Sequence, residues 1–290
     1  MEETKMQHVN TFKVIGKLVK ADVKLGTSTK TGQPYASVKT FVQSVINGET
    51  KEFEIDFYSS QLTGAGKVSS LYTTYSKLGD MEGKRVEITG SLRENRYFSS
   101  SLNQIISTQE LAGRFIRVAP EAAEDVATWE MSGFVAKILQ ERVNKKEEVY
   151  RYDLTLAQAN YSGSAISMFT LHVNPARRDI ITGVEAYEAG QTVKLNGILD
   201  FKVETVTTEA KNDGGFGKGV VRTYTNRTKN FFIEGGSAPI KDDTKYDGMA
   251  ISELISAYKA RDVELADKGR SSTQSVETTP TITKKQTSLI

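Results

Sequence analysis

The sequence has no cysteine, and this absence excludes disulfide frameworks, zinc sites built from thiolates and cysteine nucleophiles. It has only two histidines, His8 near the start and His172 at a predicted strand end, and neither has a second histidine beside it to form a metal site. The sequence also shows no Ser/His/Asp spacing typical of nucleophilic catalysis. We therefore expect a protein that is not an enzyme and that uses no cofactor or metal.

Long apolar runs are missing as well. No stretch approaches the roughly 18 apolar residues that a membrane-spanning helix needs, and the first residues lack the apolar core of a secretory signal. Together with the lack of cysteine, these features predict a protein of the cytoplasm (of the host cell, if the chain is viral) without a membrane partner.

A strong net charge is the third absence, because 38 basic and 36 acidic side chains leave a formal charge of only +2. Residues 1–118 are mildly basic, with 16 Lys and Arg against 12 Asp and Glu. A surface for nucleic acid must therefore be a local stripe of cations, since the molecule as a whole generates no strong positive field.

The sequence does contain an internal repeat. Gly83–Leu92 and Gly190–Leu199 share the pattern Gly-x-x-Val-x-apolar-x-Gly-x-Leu, and upstream of them Phe12–Ala21 matches Trp129–Ile138 in the same order. Alternating strands with one glycine can match by chance, but two matches in the same order favour a duplication. The acidic, alanine-rich segment 119–128 between the halves is typical of a linker.

Each half alternates apolar and polar residues as five strands would, with a helical spacing after the third strand. In the first half the helical spacing ends at Gly79, and in the second a short helix is predicted near 176–188. Three strands, a helix and two strands is the order of the five-stranded Greek-key OB barrel. We therefore predict a mainly β fold with two OB-like barrels in tandem, in domains 10–118 and 129–240.

The remaining segment, 241–290, is predicted to form a C-terminal helix and a disordered, flexible tail. Apolar residues between Met249 and Leu265 fall on one helical face, and the residues from Gly269 onward are rich in Ser, Thr and Lys. The helix is expected to dock on a barrel. The alternatives are that it pairs with another subunit or recruits a replication or recombination protein.

Two segments, Asn10–Ser44 and Leu78–Tyr97, resemble the OB-fold single-stranded-DNA-binding proteins, and more closely the tandem form that bacteriophages encode. In that family the first segment forms strand one, a charged loop and strand two. The second forms strand four, with its Gly-x-Leu, and a basic, aromatic hairpin. The resemblance covers residues 10–118 well and 129–236 more weakly, and it implies binding of single-stranded DNA, with RNA as the alternative.

The C-terminus departs from this family. Bacterial members end in an acidic tail with a terminal aromatic residue, whereas this chain has Lys284 and Lys285 and ends in Leu289 and Ile290. Recruitment of partners through an acidic tip is therefore not implied.

Binding of a single strand needs cations that follow the phosphates and aromatic rings that stack on the bases. The outward side of strand two in the first half offers both, in Tyr35, Lys39 and Phe41. The other side of this strand supplies the core residues Ala36, Val38, Thr40 and Val42. The alternatives are a surface of β-forming residues without a ligand, or a face packed against the other barrel.

Lysines from neighbouring segments extend this predicted face, and an acidic row limits it. Lys13 and Lys17 share the outward side of strand one, together with Ile15, and Lys30 lies in the following loop. Strand three directs Glu52, Glu54 and Asp56 outward, where they would repel phosphate, so the path of the strand is expected to avoid them.

The hairpins after strand four are the second candidate. In the first half this hairpin carries Arg93, Arg96, Tyr97 and Phe98, and in the second half the matching glycine-rich loop carries Phe216, Lys218 and Arg222. The alternative for both is a flexible hairpin without a function.

In the second barrel, Phe134 aligns with Lys17 and is expected to face outward, with Lys137 and Arg151 as phosphate contacts. Trp129 aligns with Phe12 and is expected in the core.

These features favour sequence-tolerant binding and protection of single-stranded DNA in replication or recombination. The alternative is a structural or assembly protein that uses OB barrels as protein–protein adaptors. The nearly neutral charge favours that alternative, and the aromatic, basic face disfavours it.

Overall fold

In a computed structural model, the segments with alternating apolar and polar side chains form ten strands. The structure describes residues 9–159, 165–209, 221–239, 245–246 and 249–274. The strands are β1 (Asn10–Thr27), β2 (Pro34–Ile46), β3 (Glu49–Ser60), β4 (Arg85–Ser99), β5 (Gln104–Val118), β6 (Val126–Val143), β7 (Val149–Ala159), β8 (Ile166–Val173), β9 (Thr192–Glu209) and β10 (Val221–Gly236). Two short strands, β11 (Lys245–Tyr246) and β12 (Met249–Ala250), pair with each other. The helices are α1 (Ser70–Tyr75), α2 (Arg178–Glu185) and α3 (Ile251–Gln274).

The first five strands close into a barrel, which we call ring one. β1 pairs with both β2 and β4, β2 pairs with β3, and β4 pairs with β5, all antiparallel. A parallel contact between β3 and β5, in which Ile55 lies opposite Leu111, completes the closure. This strand order is that of the OB barrel, and α1 follows β3 as the sequence predicts.

Strands β6 to β10 repeat this arrangement as ring two. β6 pairs with β7 and β9, β7 with β8, and β9 with β10. The parallel contact between β8 and β10 places Phe232 opposite His172. The predicted helix of this half is α2, which lies between β8 and β9. The predicted mainly β, OB-like fold is therefore confirmed.

A ladder between β1 and β6 joins the two rings. The strands run antiparallel, and Phe12 lies opposite Trp129, the residue that matches it in the sequence repeat. On one side Thr11 faces Glu130, and on the other Lys13 faces Thr128. Because each of these pairs is the equivalent of the other, the halves are related locally by an approximate two-fold axis between the two aromatic residues.

The two glycines of the repeated motif are required for different structural reasons. Gly83 and Gly190 have φ angles of +81° and +90°, which side chains rarely adopt. At Gly90 and Gly197 a Cβ atom would lie 2.0 Å from the carbonyl oxygen of Ala112 and 1.8 Å from that of Phe232. The first glycine of the motif therefore marks a turn, and the second marks a close approach of neighbouring strands.

Burial confirms the predicted core. Val38, Thr40 and Val42 of β2 have almost no exposed surface, and Trp129 is also buried. Ile15, expected on the outward side of β1, is instead buried. The reason is that β1 is covered at this point, since Ser44 of β2 donates a hydrogen bond to its carbonyl oxygen (2.7 Å) and β6 pairs with it.

The prediction that Gly79 ends the first helix is wrong. α1 ends at Tyr75, and Gly79 lies inside a separate 3₁₀ turn, Leu78–Met81. The hydroxyl of Ser76 donates to the carbonyl oxygen of Thr73 (3.0 Å), and such a local bond competes with continuation of the helix.

The C-terminal helix α3 docks on ring two, as expected. Its Leu254 and Tyr258 are buried in a cluster with Phe134, Ala157 and Ile166. The helix continues through Gln274, so the expected start of the tail at Gly269 lies inside it, and residues 275–290 lie outside the described residues. Of the helices in the described ranges, none has the length and apolar character to cross a membrane.

Candidate nucleic-acid interface

Strand β2 places Tyr35, Lys39 and Phe41 on the outside of ring one, as the alternation predicts. Ala36, Val38 and Thr40 alternate with them and point into the barrel, and β2 is paired on both sides, with β1 and with β3. Lys39 is exposed, whereas the two aromatic side chains are partly covered. This face lies on strands two and three of the barrel, which is where OB folds commonly bind oligonucleotides.

A second tyrosine extends this face and was not selected from the sequence. Tyr58 of β3 stacks on Tyr35, with ring centroids 5.6 Å apart and planes 28° apart. Its side chain is 57% exposed, so one aromatic surface of the pair is open to solvent. The alternation along β3 could have identified it, because it puts Tyr58 on the same outward side as Glu52, Glu54 and Asp56.

Phe41 is covered in part by a cation from ring two. The guanidinium of Arg227 on β10 lies 5.3 Å from the centre of the Phe41 ring and forms an ion pair of 2.8 Å with Glu52. The hairpin of β9 and β10 therefore reaches over strand three of ring one. No local pattern could reveal this contact, because 186 residues separate Phe41 from Arg227.

The expected acidic row does face outward, and each carboxylate has a basic partner. Lys39 contacts Glu54 at 2.5 Å and Asp56 at 4.0 Å. Arg93 contacts Asp56 at 3.7 Å and Glu110 at 2.6 Å. The structure thus brings the predicted phosphate contacts Lys39 and Arg93 together around Asp56, in a network that is close to neutral.

Burial and charge shift the ionisation of this network. The hydrogen bond to Glu54 raises the pKa of Lys39. Burial alone would raise the pKa of Glu54, but the hydrogen bond from Lys39 and the charge of Lys229 bring it below its usual value. Burial, aided by the charges of Glu110 and Glu54, raises the pKa of Asp56. The carboxyl group of Asp56 is therefore easier to protonate than that of an ordinary aspartate.

The other predicted lysines of ring one are spread out. Lys13 on β1 lies 3.4 Å from Glu87 of β4, on the side of the barrel that faces the junction with ring two. Lys17 is exposed four residues along the same strand, and Lys30 is exposed in the loop between β1 and β2. They do not form one cluster with the outward face of β2.

The hairpin of β4 and β5 packs against ring two instead of standing free. Arg96 contacts Asp262 of α3 at 2.5 Å, and its guanidinium lies 4.2 Å from the centre of the Tyr258 ring. Only 12% of the Arg96 side chain is exposed. Tyr97 remains 46% exposed, and Phe98 is partly buried, so Tyr97 is the more accessible of the two aromatic residues predicted here.

Glu94 holds this docking together and was not selected from the sequence. Its carboxylate accepts hydrogen bonds from Tyr258 (2.7 Å), Ser107 (2.7 Å) and the backbone amide of Met168 (3.0 Å). It also pairs with Arg96 at 3.2 Å, and its side chain is 1% exposed. One carboxylate therefore joins the hairpin, strand β8 and helix α3.

The three contacts predicted in ring two do not form one surface, because α3 covers one of them and an ion pair holds another. Phe134 points outward from the barrel but has no exposed surface, because α3 covers it. Lys137 is exposed. Arg151 is half-buried, where it contacts Asp153 at 2.8 Å and donates to Asn230 at 3.2 Å.

The hairpin of β9 and β10 holds the last three predicted residues. Phe216 and Lys218 lie outside the described residues, and for Arg222 only the backbone position, opposite Thr208, is described. Their assignment as strand contacts stays a prediction.

The structure is similar to the wild-type single-stranded DNA binding protein from Thermus aquaticus, with a TM-score of 0.51 and 11% sequence identity, over 83% of this chain and 98% of that one. A deletion mutant of the same protein matches with a TM-score of 0.50 and 12% identity, over 81% of this chain and 97% of that one. At this identity the likeness shows a shared fold.

At the level of sequence, no curated protein matches the chain significantly. The model of the YorF family matches residues 8–271. Because this match spans nearly the whole sequence, the chain belongs to the YorF family.

Proposed function

We propose that this protein binds and protects single-stranded DNA, with little sequence preference and without catalysing a reaction. The observation that carries the proposal is the outward face of β2 and β3, where the stacked pair of Tyr35 and Tyr58 lies on the same barrel face as Phe41 and the cations Lys39 and Arg227. Aromatic rings and cations on this face are the chemistry by which OB folds bind single strands. The fold shared with a protein named for that activity supports the proposal.

The proposed mechanism is stacking with neutralisation of phosphate. A base stacks on the open face of Tyr58, and each stacked base contributes roughly 1–3 kcal/mol. Phosphates compete with Glu54 and Glu52 for Lys39 and Arg227, because both cations are paired with carboxylates in the free protein. Binding is therefore expected to weaken as salt is added, with a modest slope.

The finer parts of the proposal follow from the resemblance and from the two closed rings. We assign the rings to tandem OB domains, 10–118 and 129–240, and the remainder to the C-terminal segment 241–290. The setting is replication or recombination in the cytoplasm, with a bacteriophage-type protein as the nearest parallel. RNA is the alternative ligand.

One observation favours a different function. Four carboxylates lie on the same face as the proposed contacts, and they leave it nearly neutral: Glu52, Glu54, Asp56 and Glu110. A neutral, ion-paired face suits a protein partner, so an assembly protein with OB barrels as adaptors is the second candidate.

The deciding experiment compares an oligo(dT) strand with a duplex of equal length by fluorescence anisotropy at low salt. We expect the protein to bind the single strand and to bind the duplex much more weakly. Equal binding of both would reject a preference for single strands, and binding of neither would reject the proposal in favour of the adaptor role.

Variants of the outward face test the mechanism. Tyr58→Ala removes an exposed ring, so it should weaken binding by roughly 1–3 kcal/mol and leave the melting temperature unchanged. Lys39→Ala should lower the salt slope by about 0.7. Val38→Ala is the control, because Val38 is buried on the opposite side of β2 and its loss should reduce stability first.

A further inference from the structure

An open groove of about 690 Å³ crosses the junction of the two rings, away from the outward face of β2 and β3. Its floor is the ladder of β1 and β6 around Phe12 and Trp129, and its walls come from β4 and β5 on one side and β9 on the other. The volume lies within the range of sites that hold small molecules, roughly 300–1,000 Å³.

Both rings contribute equivalent residues to the groove, because the approximate two-fold axis passes through it. Thr11 and Thr128 line it from opposite sides, and Thr89 and Asn196 occupy equivalent positions on β4 and β9. These hydroxyl and amide groups can donate and accept hydrogen bonds along the groove. A ligand that enters the groove therefore contacts both rings at once.

The rim of the groove on ring one combines an aromatic ring with a cation. Phe115 of β5 is 57% exposed and lies opposite Thr89 in the β4–β5 ladder. The guanidinium of Arg114 lies 5.3 Å from the centre of the Phe115 ring. Among the residues that the structure describes, Arg114 forms no ion pair, in contrast to the paired cations Lys39 and Arg93.

The charge around the groove is positive. Lys13 and Arg117 share the single carboxylate of Glu87, at 3.4 Å and 2.7 Å. Across the junction Lys194 pairs with Glu130 at 2.5 Å. Four cations with two carboxylates leave two unbalanced positive charges here, whereas the outward face of β2 and β3 is nearly neutral. A polyanion is therefore attracted more strongly to the groove than to that face.

We propose that the groove is a second contact site for single-stranded nucleic acid, in which Phe115 stacks on a base, Arg114 and Lys13 bind phosphates, and the strand passes from ring one to ring two. This inference rests on the proposed function and adds the path of the strand. It also gives a reason for two joined rings, since the floor of the site exists only where β1 pairs with β6.

Trp129 provides a probe of this site, because it is the only tryptophan in the chain and its buried side chain lies beneath the floor of the groove. The experiment titrates the full-length protein with oligo(dT) and records both anisotropy of the labelled strand and emission of Trp129. We expect the emission to change with the same midpoint as the anisotropy.

Two variants and two matched controls test the contacts. Phe115→Ala should weaken binding between about fivefold and a hundredfold, and Arg114→Ala should lower the salt slope by about 0.7. Val263→Ala and Arg261→Ala remove an exposed apolar and an exposed basic side chain from α3. These controls should bind as the parent does, and the melting temperatures should show that all four variants are folded.

The outcomes separate this inference from the proposed function. If oligo(dT) does not bind at all, the proposed function fails and this inference fails with it. If the strand binds but Trp129 emission, Phe115→Ala and Arg114→Ala all show no effect, the groove is not on the path and only this inference is overturned. If Phe115→Ala instead changes the oligomeric state by light scattering and leaves binding intact, the groove is a contact between copies of the chain, and the inference is again overturned.

Discussion

Position 172 holds a neutral histidine in the wall of ring two. The imidazole of His172 is buried, its Nδ1 accepts a hydrogen bond from the backbone amide of Phe231 (2.9 Å), and Arg151 lies close by. Burial, together with the positive charge of Arg151, lowers the pKa of His172 to about 4 from its ordinary 6.5, although Asp153 acts in the opposite direction. Protonation would remove the acceptor on which the Phe231 amide depends.

Acid is therefore expected to destabilise the protein through His172. The unfolded chain binds a proton near pH 6.5 and the folded protein only near pH 4, so the contribution is present above pH 6.5 and is lost as the pH falls towards 4. The loss is on the order of 3 kcal/mol. Urea unfolding between pH 7 and pH 4 measures it.

The variant His172→Asn isolates this contribution, since an amide oxygen can accept the same backbone hydrogen bond and does not titrate. Its stability should depend less on pH than that of the parent between pH 6.5 and 4. An identical pH dependence in both proteins would assign the acid sensitivity to other groups.

At the scale of elements, the repeated glycines fix how closely β4 approaches β5 and β9 approaches β10. In Gly197→Ala the new methyl group would lie 1.8 Å from the carbonyl oxygen of Phe232 and 2.9 Å from Trp129, so strands must move apart. We expect a loss of roughly 1–3 kcal/mol or more in the free energy of unfolding.

Gly183→Ala is the matched control for this prediction. Gly183 lies in α2, and nothing is within 4 Å of the position of its added methyl group. Because alanine favours helix more than glycine by about 1 kcal/mol, this variant should be as stable as the parent or more so. Equal effects at both glycines would show that the close approach does not matter.

Glu94 contributes to the docking of α3, because its carboxylate accepts a hydrogen bond from Tyr258. In Glu94→Gln an NH₂ group would face donors from Tyr258 or Met168, and Arg96 would lose one of its two carboxylate partners. A buried polar group left without its hydrogen bond costs about 1–3 kcal/mol. We expect faster amide exchange along α3, measured by mass spectrometry.

Glu141→Gln serves as the comparison, because Glu141 is exposed on β6. It should leave the exchange of α3 unchanged. If α3 exchanges at the same rate in Glu94→Gln and in the parent, the helix is held by its apolar contacts and by the Arg96–Asp262 pair, without help from Glu94.

At the scale of the whole molecule, the two rings share one core. Phe53 of ring one packs on Phe201 of ring two, with ring centroids 5.2 Å apart. Lys51 is nearly buried and pairs with Asp200 across the rings at 2.7 Å. The β1–β6 ladder adds backbone hydrogen bonds between them. Neither ring can therefore unfold without exposing the apolar surface of the other.

We accordingly expect a single unfolding transition, with equal calorimetric and van't Hoff enthalpies. Asp200→Asn removes one of the two carboxylates that pair with Lys51 and should lower the midpoint without splitting the transition. Two separate transitions in the parent would mean that the rings are independent in stability.

The amino-acid sequence by itself determined the strands, their order and, apart from the side of Ile15, their inward sides. Val38, Thr40 and Val42 were identified as core, and Tyr35, Lys39 and Phe41 as outward, because alternation along a strand is a local property that one segment reports alone. The same holds for α2 and for the repeat, whose glycines record constraints between neighbouring strands. Where side chains compete locally for the backbone, as Ser76 does after α1, the boundary was missed.

Only the tertiary structure decided which outward residues stay accessible. Phe134 and Arg96 both point away from their strands, yet α3 covers the first and pairs with the second through Asp262. In the same way Arg227 reaches Phe41, and the groove beside Phe115 arises where β1 meets β6. These contacts join residues far apart in the chain, so they depend on how the two closed rings pack, and no periodicity within a segment carries that information.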